Sequence, residues 1–123
     1  AEKKPQLGLV SPGQLDAIRA ASPNYVFAMG VLLHVPPDEL ELFFREITSV
    51  AQEGTRIYIA SMFAKAEVQV SWSTWLFEQK AMSRLLGEME IPHEVRIERT
   101  MPFKATKITV NRGWLVLAPG VHT

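Results

Sequence analysis

Residues 24–61 hold two apolar segments on either side of a strongly amphipathic one, and this arrangement restricts the possible folds more than any other part of the chain. The first segment, residues 25–33, is almost continuously apolar, which is typical of a parallel strand buried on both faces. Pro36-Pro37-Asp38-Glu39 then predicts a helix start, with acidic groups at the positive end of the helix dipole. Residues 56–60 predict a second strand. Because such crossovers are right-handed, the two strands are expected to be parallel, in a βαβ unit.

The helix of this unit is predicted from a single apolar face. Its apolar residues recur at i, i+3, i+4, i+7, i+10 and i+11, which places them on one side of a helix. They are Leu40, Phe43, Phe44, Ile47, Val50 and Ala51. Gly54 is expected to take the left-handed position that follows the last turn of the helix.

The segment ahead of this unit is predicted to be a polar tail and one helix. Ser11-Pro12-Gly13-Gln14 has the pattern of a capped helix start, and Ser22-Pro23 ends that helix near residue 21. Ala1-Glu2-Lys3-Lys4-Pro5 leads into no apolar segment, so no signal peptide is expected. A first residue that is not methionine indicates processing or a piece of a longer protein.

The segment after the unit predicts a loop, a helix and two strands. Residues 62–70 are expected to be a loop with a short extended piece at Val68 and Val70, and residues 73–86 a third helix. After Pro92 the apolar residues alternate, which predicts an antiparallel pair with its turn at residues 102–106. The expected fold is a single α/β domain with about four strands, two parallel and then an antiparallel pair, and three helices.

Composition narrows the classes of function. The 13 basic and 13 acidic side chains cancel, so no overall field favours nucleic acid or an anionic membrane. There is no cysteine, which excludes disulfides and thiolate metal sites and fits a cytoplasmic location. No apolar run approaches the roughly 20 residues that a membrane helix needs. His34, His93 and His122 are scattered, so no metal site is expected.

Three short segments of the chain resemble a known family. They are Asn24-Tyr25-Val26-Phe27, Val31-Leu32-Leu33-His34-Val35 and Ala51-Gln52-Glu53-Gly54-Thr55-Arg56. Together they resemble the class I S-adenosylmethionine (SAM)-dependent methyltransferases, from their fourth strand to their fifth. That family usually has Asp where Asn24 stands and Pro-Gly-Gly where Glu53-Gly54-Thr55 stands. Its fold also ends with a helix and an antiparallel pair, so the resemblance covers residues 24–119 and leaves residues 1–23 as the tail and helix.

The resemblance implies a partial Rossmann-like methyltransferase fold that lacks the half in which the family holds its cofactor. Family members bind SAM through a Gly-rich turn after their first strand and an acidic residue that ends their second. Only 23 residues precede Asn24, too few for that half, and residues 8–13 follow no buried strand. The cofactor implied is therefore SAM by resemblance only, and the resemblance does not establish that SAM binds to this chain alone.

Two functions are compatible with this resemblance. In the first, the chain is part of a SAM-dependent methyltransferase, either a fragment or a subunit that needs a partner for the cofactor-binding half, and the methyl group goes to an unidentified substrate. In the alternative, it is a non-catalytic module, derived from a methyltransferase, that binds a small molecule or a protein through the former cleft. The isolated chain is expected to be inactive as an enzyme.

Five residues are candidates for the site. His34 follows the first strand, where open α/β sheets bind ligands, so it is the candidate substrate contact or general base. Met29 and Gly30 match positions that line the family's cofactor pocket. Trp72 and Trp75 lie where the family places substrate-recognition elements. For each of the five, packing or capping is the alternative role and the one that we favour.

The predicted first strand also suggests a partner. In the complete fold this strand has a neighbour on both sides, whereas here one edge is expected to be unpaired, and such edges recruit other chains. We therefore expect a homodimer, or a partner chain that covers the edge, and a small-molecule substrate is compatible with the fold. Nucleic acid is not expected, because the basic residues of the terminal hairpin lack interleaved stacking aromatics. They are Arg96, Arg99, Lys104, Lys107 and Arg112.

Overall fold

The computed structural model describes Ala20 and residues 24–104 and 106–119. Its helices and strands, in chain order, are β1 (Tyr25–Ala28), α1 (Leu40–Thr48), β2 (Arg56–Ala64), β3 (Val68–Ser71), β4 (Thr74–Glu78), α2 (Gln79–Glu88), β5 (His93–Pro102) and β6 (Thr109–Leu117). Two short 3-10 helices, Leu32–His34 and Pro37–Glu39, lie between β1 and α1. The helix predicted over residues 11–21 falls outside the described residues, except for Ala20, which is helical.

The predicted βαβ unit is confirmed. β1 pairs with β2 in parallel, from Tyr25 opposite Arg56 to Ala28 opposite Ile59. The predicted apolar face of the connecting helix packs into the core, where Phe44 is fully buried. The helix ends earlier than predicted, at Thr48, and Gly54 (φ +86°) instead lies in a separate turn that leads into β2.

All six strands form one sheet. The order runs β3-β4-β2-β6-β5, and β1 also pairs with β2. Since β6 pairs along β2 from Ile57 to Phe63, both β1 and β4 must lie on the other edge of β2. β1 takes the first half of that edge and β4 pairs at Phe63 and Ala64. The predicted antiparallel pair is confirmed as β5 and β6.

The helix predicted over residues 73–86 begins later than expected. Residues 74–78 form the strand β4, residues 68–71 form β3, and the helix runs only from Gln79 to Glu88. The physical reason is that residues 74–77 include the β-branched Thr74 and the aromatic Trp75 and Phe77. Such side chains suit the pleated, half-buried surface of a strand. The two extra strands extend the predicted partial sheet without changing its class, so the α/β fold with a partial Rossmann-like sheet is confirmed.

The core lies on one face of the sheet. Ile57, Ile59 and Phe63 of β2 point to this face and pack with Phe44 of α1 and Met82 of α2. A smaller cluster of Leu76, Phe103 and Val110 occupies part of the opposite face. Within the part of the chain that the structure describes, no helix is both long and apolar enough to cross a membrane.

The first strand is shorter and more exposed than predicted. It ends at Ala28 rather than continuing to residue 33, and only Val26 and Ala28 pack against the core. Tyr25 and Phe27, on its other face, are 60% and 62% exposed. The prediction that this strand is buried on both faces was wrong, because both described α-helices pack on the core face.

Candidate functional site

The candidate site lies in the loop that leaves the carboxyl end of β1. Met29 is 67% exposed there, and Gly30 follows it with φ +69°. A Cβ built on Gly30 would meet no atom of the described residues within 4 Å. The glycine is therefore required by its left-handed backbone and not by close packing, and the space beside it is open.

His34 ends the first 3-10 helix and has an exposed side chain. Its Nδ1 lies 2.7 Å from the carbonyl oxygen of Ser73. Because a carbonyl oxygen only accepts hydrogen bonds, Nδ1 is the donor and holds a proton. In the neutral ring Nε2 then carries the lone pair, which is the form that a general base needs.

The hydrogen bond to Ser73 links His34 to the chain segment that holds Trp72 and Trp75, the two tryptophans predicted for the site. Ser73 lies in the tight turn between β3 and β4, next to Trp72 and two residues before Trp75. The two indole rings have different environments: Trp72 is 89% exposed, and Trp75 packs against the core. His34 and Trp72 are thus the exposed polar and aromatic groups of this region, while Trp75 contributes to packing.

Replacement of His34 by alanine is expected to lower the free energy of unfolding by about 1 kcal/mol, the usual net value of one hydrogen bond. The loss comes from the missing hydrogen bond to Ser73, which links the β3–β4 turn to the loop after β1. Urea denaturation followed by circular dichroism measures it. Trp72→Ala is the matched control, since Trp72 is almost fully exposed and its loss should change stability by less than about 0.5 kcal/mol. Equal stability of His34→Ala and wild type would show that the contact contributes nothing.

A second surface was not predicted from the sequence. Four aromatic side chains lie together on the sheet face opposite the main core, and we call them the aromatic face: Tyr25, Phe27, Tyr58 and Trp114. Phe27 stacks on Tyr58 with ring centroids 5.2 Å apart, and Trp114 meets both rings edge-on at 6.3 Å. The signal that was overlooked is the alternation of Tyr25 and Phe27 with the smaller Val26 and Ala28.

Charged groups border the aromatic face. Arg96 lies over the Tyr58 ring, 5.8 Å from its centroid, and forms an ion pair with Glu94. The hydrogen bond and the charge of Glu94 raise the pKa of the Arg96 guanidinium above its usual value. The indole Nε1 of Trp114 donates to Glu98 at 2.9 Å. Arg56 differs from these pairs, because its Nη1 is buried with no hydrogen-bond partner among the described residues.

Two concave surface sites lie away from His34. One, of about 290 Å³, is beside the aromatic face and includes Arg56, His93 and Arg96 in its wall. The other, of about 190 Å³, is formed by α1, β4 and α2 and contains Glu67 and Glu78. Across residues 24–104 and 106–119, no group of three or more His, Cys, Asp or Glu side chains is placed to hold a metal ion.

Solved structures share the fold of this chain. The complex of DhpI with S-adenosylhomocysteine (SAH) superposes with a TM-score of 0.53 at 14% sequence identity, over 85% of this chain and 53% of DhpI. A SAM-dependent methyltransferase from Leishmania major gives a TM-score of 0.51 at 11% identity, over 76% of this chain and 38% of that protein. The chain has a class I methyltransferase-like fold. No protein-family model and no curated protein matches it.

At these identities the likeness is one of fold. It confirms the resemblance that the βαβ unit suggested and places the loop with Met29, Gly30 and His34 at the carboxyl end of a parallel strand of that fold. The chain spans about half the length of DhpI and less of the Leishmania protein. The remaining part of each of those two proteins is not matched by this chain.

Proposed function

We propose that this chain is part of a SAM-dependent methyltransferase, a fragment or subunit completed by a polypeptide that carries the cofactor-binding half. The observation that carries the proposal is the unequal coverage: the match takes in 85% of this chain but 53% of DhpI, the structure that holds SAH. The outer edge of β1 supports it further: among the described residues it has no partner strand, whereas the complete fold has a neighbouring strand there.

The residues of the loop after β1 do not fit SAM by themselves. Residues 29–37 contain no Asp or Glu, so they offer no carboxylate to hold ribose hydroxyls. His34 is the one ionisable side chain among them, and its Nδ1 is already bonded to Ser73. The proposal therefore assigns cofactor binding to the completing half and derives no methyl-transfer step from this chain alone.

What the chain would contribute is one wall of the cleft. The open space beside Gly30 lets a ligand approach the backbone, and Met29 offers an exposed apolar contact next to it. The lone pair on Nε2 of His34 suits a substrate contact or proton acceptor, and Trp72 offers an exposed ring nearby. A cytoplasmic location is part of the proposal, supported by the lack of cysteine.

Two observations test this proposal. Calorimetric titration of the isolated chain with SAH is expected to show no binding tighter than about 1 mM, because the completing half is missing. The coding sequence upstream, or that of a co-purifying subunit, is expected to carry a Gly-rich turn between a strand and a helix. Micromolar SAH binding by the isolated chain would contradict the proposal.

The alternative function is a non-catalytic module derived from a methyltransferase. The specific observation in its favour is the 290 Å³ site, whose lining includes the side chains of Arg56, His93 and Arg96. Guanidinium groups at the wall of a concave site can bind an anionic ligand. This alternative becomes the better account if neither the upstream sequence nor a co-purifying protein provides a Gly-rich half.

A further inference from the structure

The sheet face opposite the main core carries arginines as well as the aromatic face. Ile57 and Ile59 of β2 pack in the core, so Arg56 and Tyr58, which alternate with them, point to the opposite face. Residues directly opposite each other on neighbouring strands share a face. The pairing of β5 with β6 therefore places three more arginines on the side of Trp114. They are Arg96, opposite Trp114 itself, Arg112, two residues before Trp114, and Arg99, opposite Arg112.

Arg99 and Arg112 bring two like charges face to face across β5 and β6. Both side chains are exposed, and neither forms an ion pair within the described part of the chain. Like charges directly opposite each other destabilise a sheet. The repulsion between these two guanidinium groups would be relieved by a negatively charged partner that contacts both.

Carboxylates offset only part of the positive charge on this face. Glu94 forms its ion pair with Arg96, and Glu98 accepts the hydrogen bond of Trp114. Four arginines against these two carboxylates leave an excess of two positive charges on the strands β2, β5 and β6. The face is therefore basic, although the whole chain has no net charge, and it favours an anionic partner.

Aromatic rings lie beside these arginines. The hairpin β5–β6 supplies Trp114, and the sheet adds Tyr58 from β2 and Phe27 from β1, which stack on each other. Phe27 is 62% exposed, so much of its ring is open to a ligand. Exposed rings with cations around them on a sheet are how several protein modules bind single-stranded nucleic acid: the bases stack on the rings, and the basic groups contact the phosphates.

We propose that this face of the sheet binds a single strand of nucleic acid. Its bases stack on Phe27 and Tyr25, the two most exposed rings of the aromatic face, and its phosphates contact Arg99 and Arg112. Phe27 pairs with Tyr58 and Arg112 with Met62, four residues further along β2. The ring and the arginine are thus about 13 Å apart along the sheet, within the reach of a strand of about four nucleotides.

This inference goes beyond the proposed function and does not rest on it. It concerns a face of the sheet, whereas the proposed function concerns the loop after β1 and the half that holds the cofactor. A titration with nucleic acid and a titration with SAH measure different ligands, so either can fail while the other succeeds.

Fluorescence anisotropy of labelled decauridylate and decathymidylate, titrated with the full chain, tests the proposal. At about 50 mM salt we expect a dissociation constant below about 100 μM for at least one of the two strands, and the tighter one identifies the sugar. A duplex of the same length is expected to bind at least about tenfold more weakly, because its bases are not available for stacking. The logarithm of the association constant should fall with the logarithm of the salt concentration with a slope of about −1.4 or steeper, the value for two neutralised phosphates.

Substitutions separate stacking from charge. Phe27→Leu is expected to weaken binding at least about fivefold, the lower end for the loss of one stacked base, whereas Phe27→Tyr keeps the ring and should bind within about twofold of the wild type. Arg112→Gln is expected to make the salt slope shallower by about 0.7. Arg45→Gln is the matched control, since Arg45 is exposed on α1, on the other side of the sheet, and its loss should change neither affinity nor slope.

Circular dichroism of each variant shows whether it is folded, and Tyr25→Leu replaces Phe27→Leu if that variant does not fold. No binding of either single strand by the full chain overturns the proposal, whichever segment or protein covers the face. Equal affinity for the duplex overturns it as well, and so does wild-type affinity in the leucine variant together with an unchanged salt slope in Arg112→Gln.

Discussion

Replacing Gly113 by alanine is expected to lower the free energy of unfolding by about 3 kcal/mol or more, a large part of the 5–15 kcal/mol typical of a domain. Gly113 is buried in β6 and lies opposite Ile97 of β5. A Cβ there would overlap the backbone carbonyl oxygen of Arg96 and lie 2.8 Å from the Cα of Ile97. Since backbone atoms cannot rotate away, β5 and β6 would have to separate.

Urea denaturation of the Gly113→Ala variant measures this effect. Gly87→Ala is the matched control, because Gly87 lies on an exposed helical position in α2 where a Cβ meets no atom within 4 Å. The control is expected to be unchanged or up to about 1 kcal/mol more stable, since alanine favours the helix. Similar stabilities for the two variants would mean that β5 does not approach Gly113 as closely as described.

Phe44→Ala is expected to cost about 3–5 kcal/mol of unfolding free energy, the range for removal of a buried phenyl ring. Phe44 is fully buried between α1 and the core face of β2, where it packs with Ile57 and Ile59. The loss combines the apolar surface returned to water with the cavity that the ring leaves behind. Thermal and urea unfolding of the variant both report it.

Leu42→Ala provides the comparison on the same helix. Leu42 points to solvent from α1, so its truncation should cost less than about 0.5 kcal/mol. If the two variants lost similar amounts of stability, the orientation of α1 on the sheet would be wrong. This orientation is what sets the crossover between β1 and β2.

The parts of the fold that were predictable from the sequence are those in which the local pattern and the tertiary structure agree. The apolar residues of α1 follow helical spacing from Leu40 to Ile47, and this spacing predicted the helix of the βαβ unit. Val95 and Val110 belong to alternating segments, and this fixed the antiparallel pair β5–β6. Both predictions depend only on the spacing at which apolar side chains recur along the sequence.

The β3–β4 hairpin was missed for a physical reason. Trp75, Leu76 and Phe77 form a short apolar run that continues directly into the helix from Gln79, and periodicity alone cannot separate a buried strand from a helix in so short a run. The tight turn at Trp72 and Ser73 carries no Gly, Pro or Asn to mark it.

The candidate site was predictable only as a position in the chain. The resemblance placed Met29, Gly30 and His34 after the first strand, and the structure has them there. The contact between His34 and Ser73 joins residues 39 positions apart, which no local pattern reveals. The exposure of Tyr25 and Phe27 was not predictable either, because the burial of a strand depends on which distant segments pack against it.

Calorimetric titration with SAH shows whether this chain is, as we propose, one half of a SAM-binding fold. The isolated chain is compared with the same chain completed by its Gly-rich half, as one polypeptide or as two subunits. We expect a dissociation constant below about 100 μM for the completed protein alone. Micromolar binding by the isolated chain, or none by the completed protein, would contradict it.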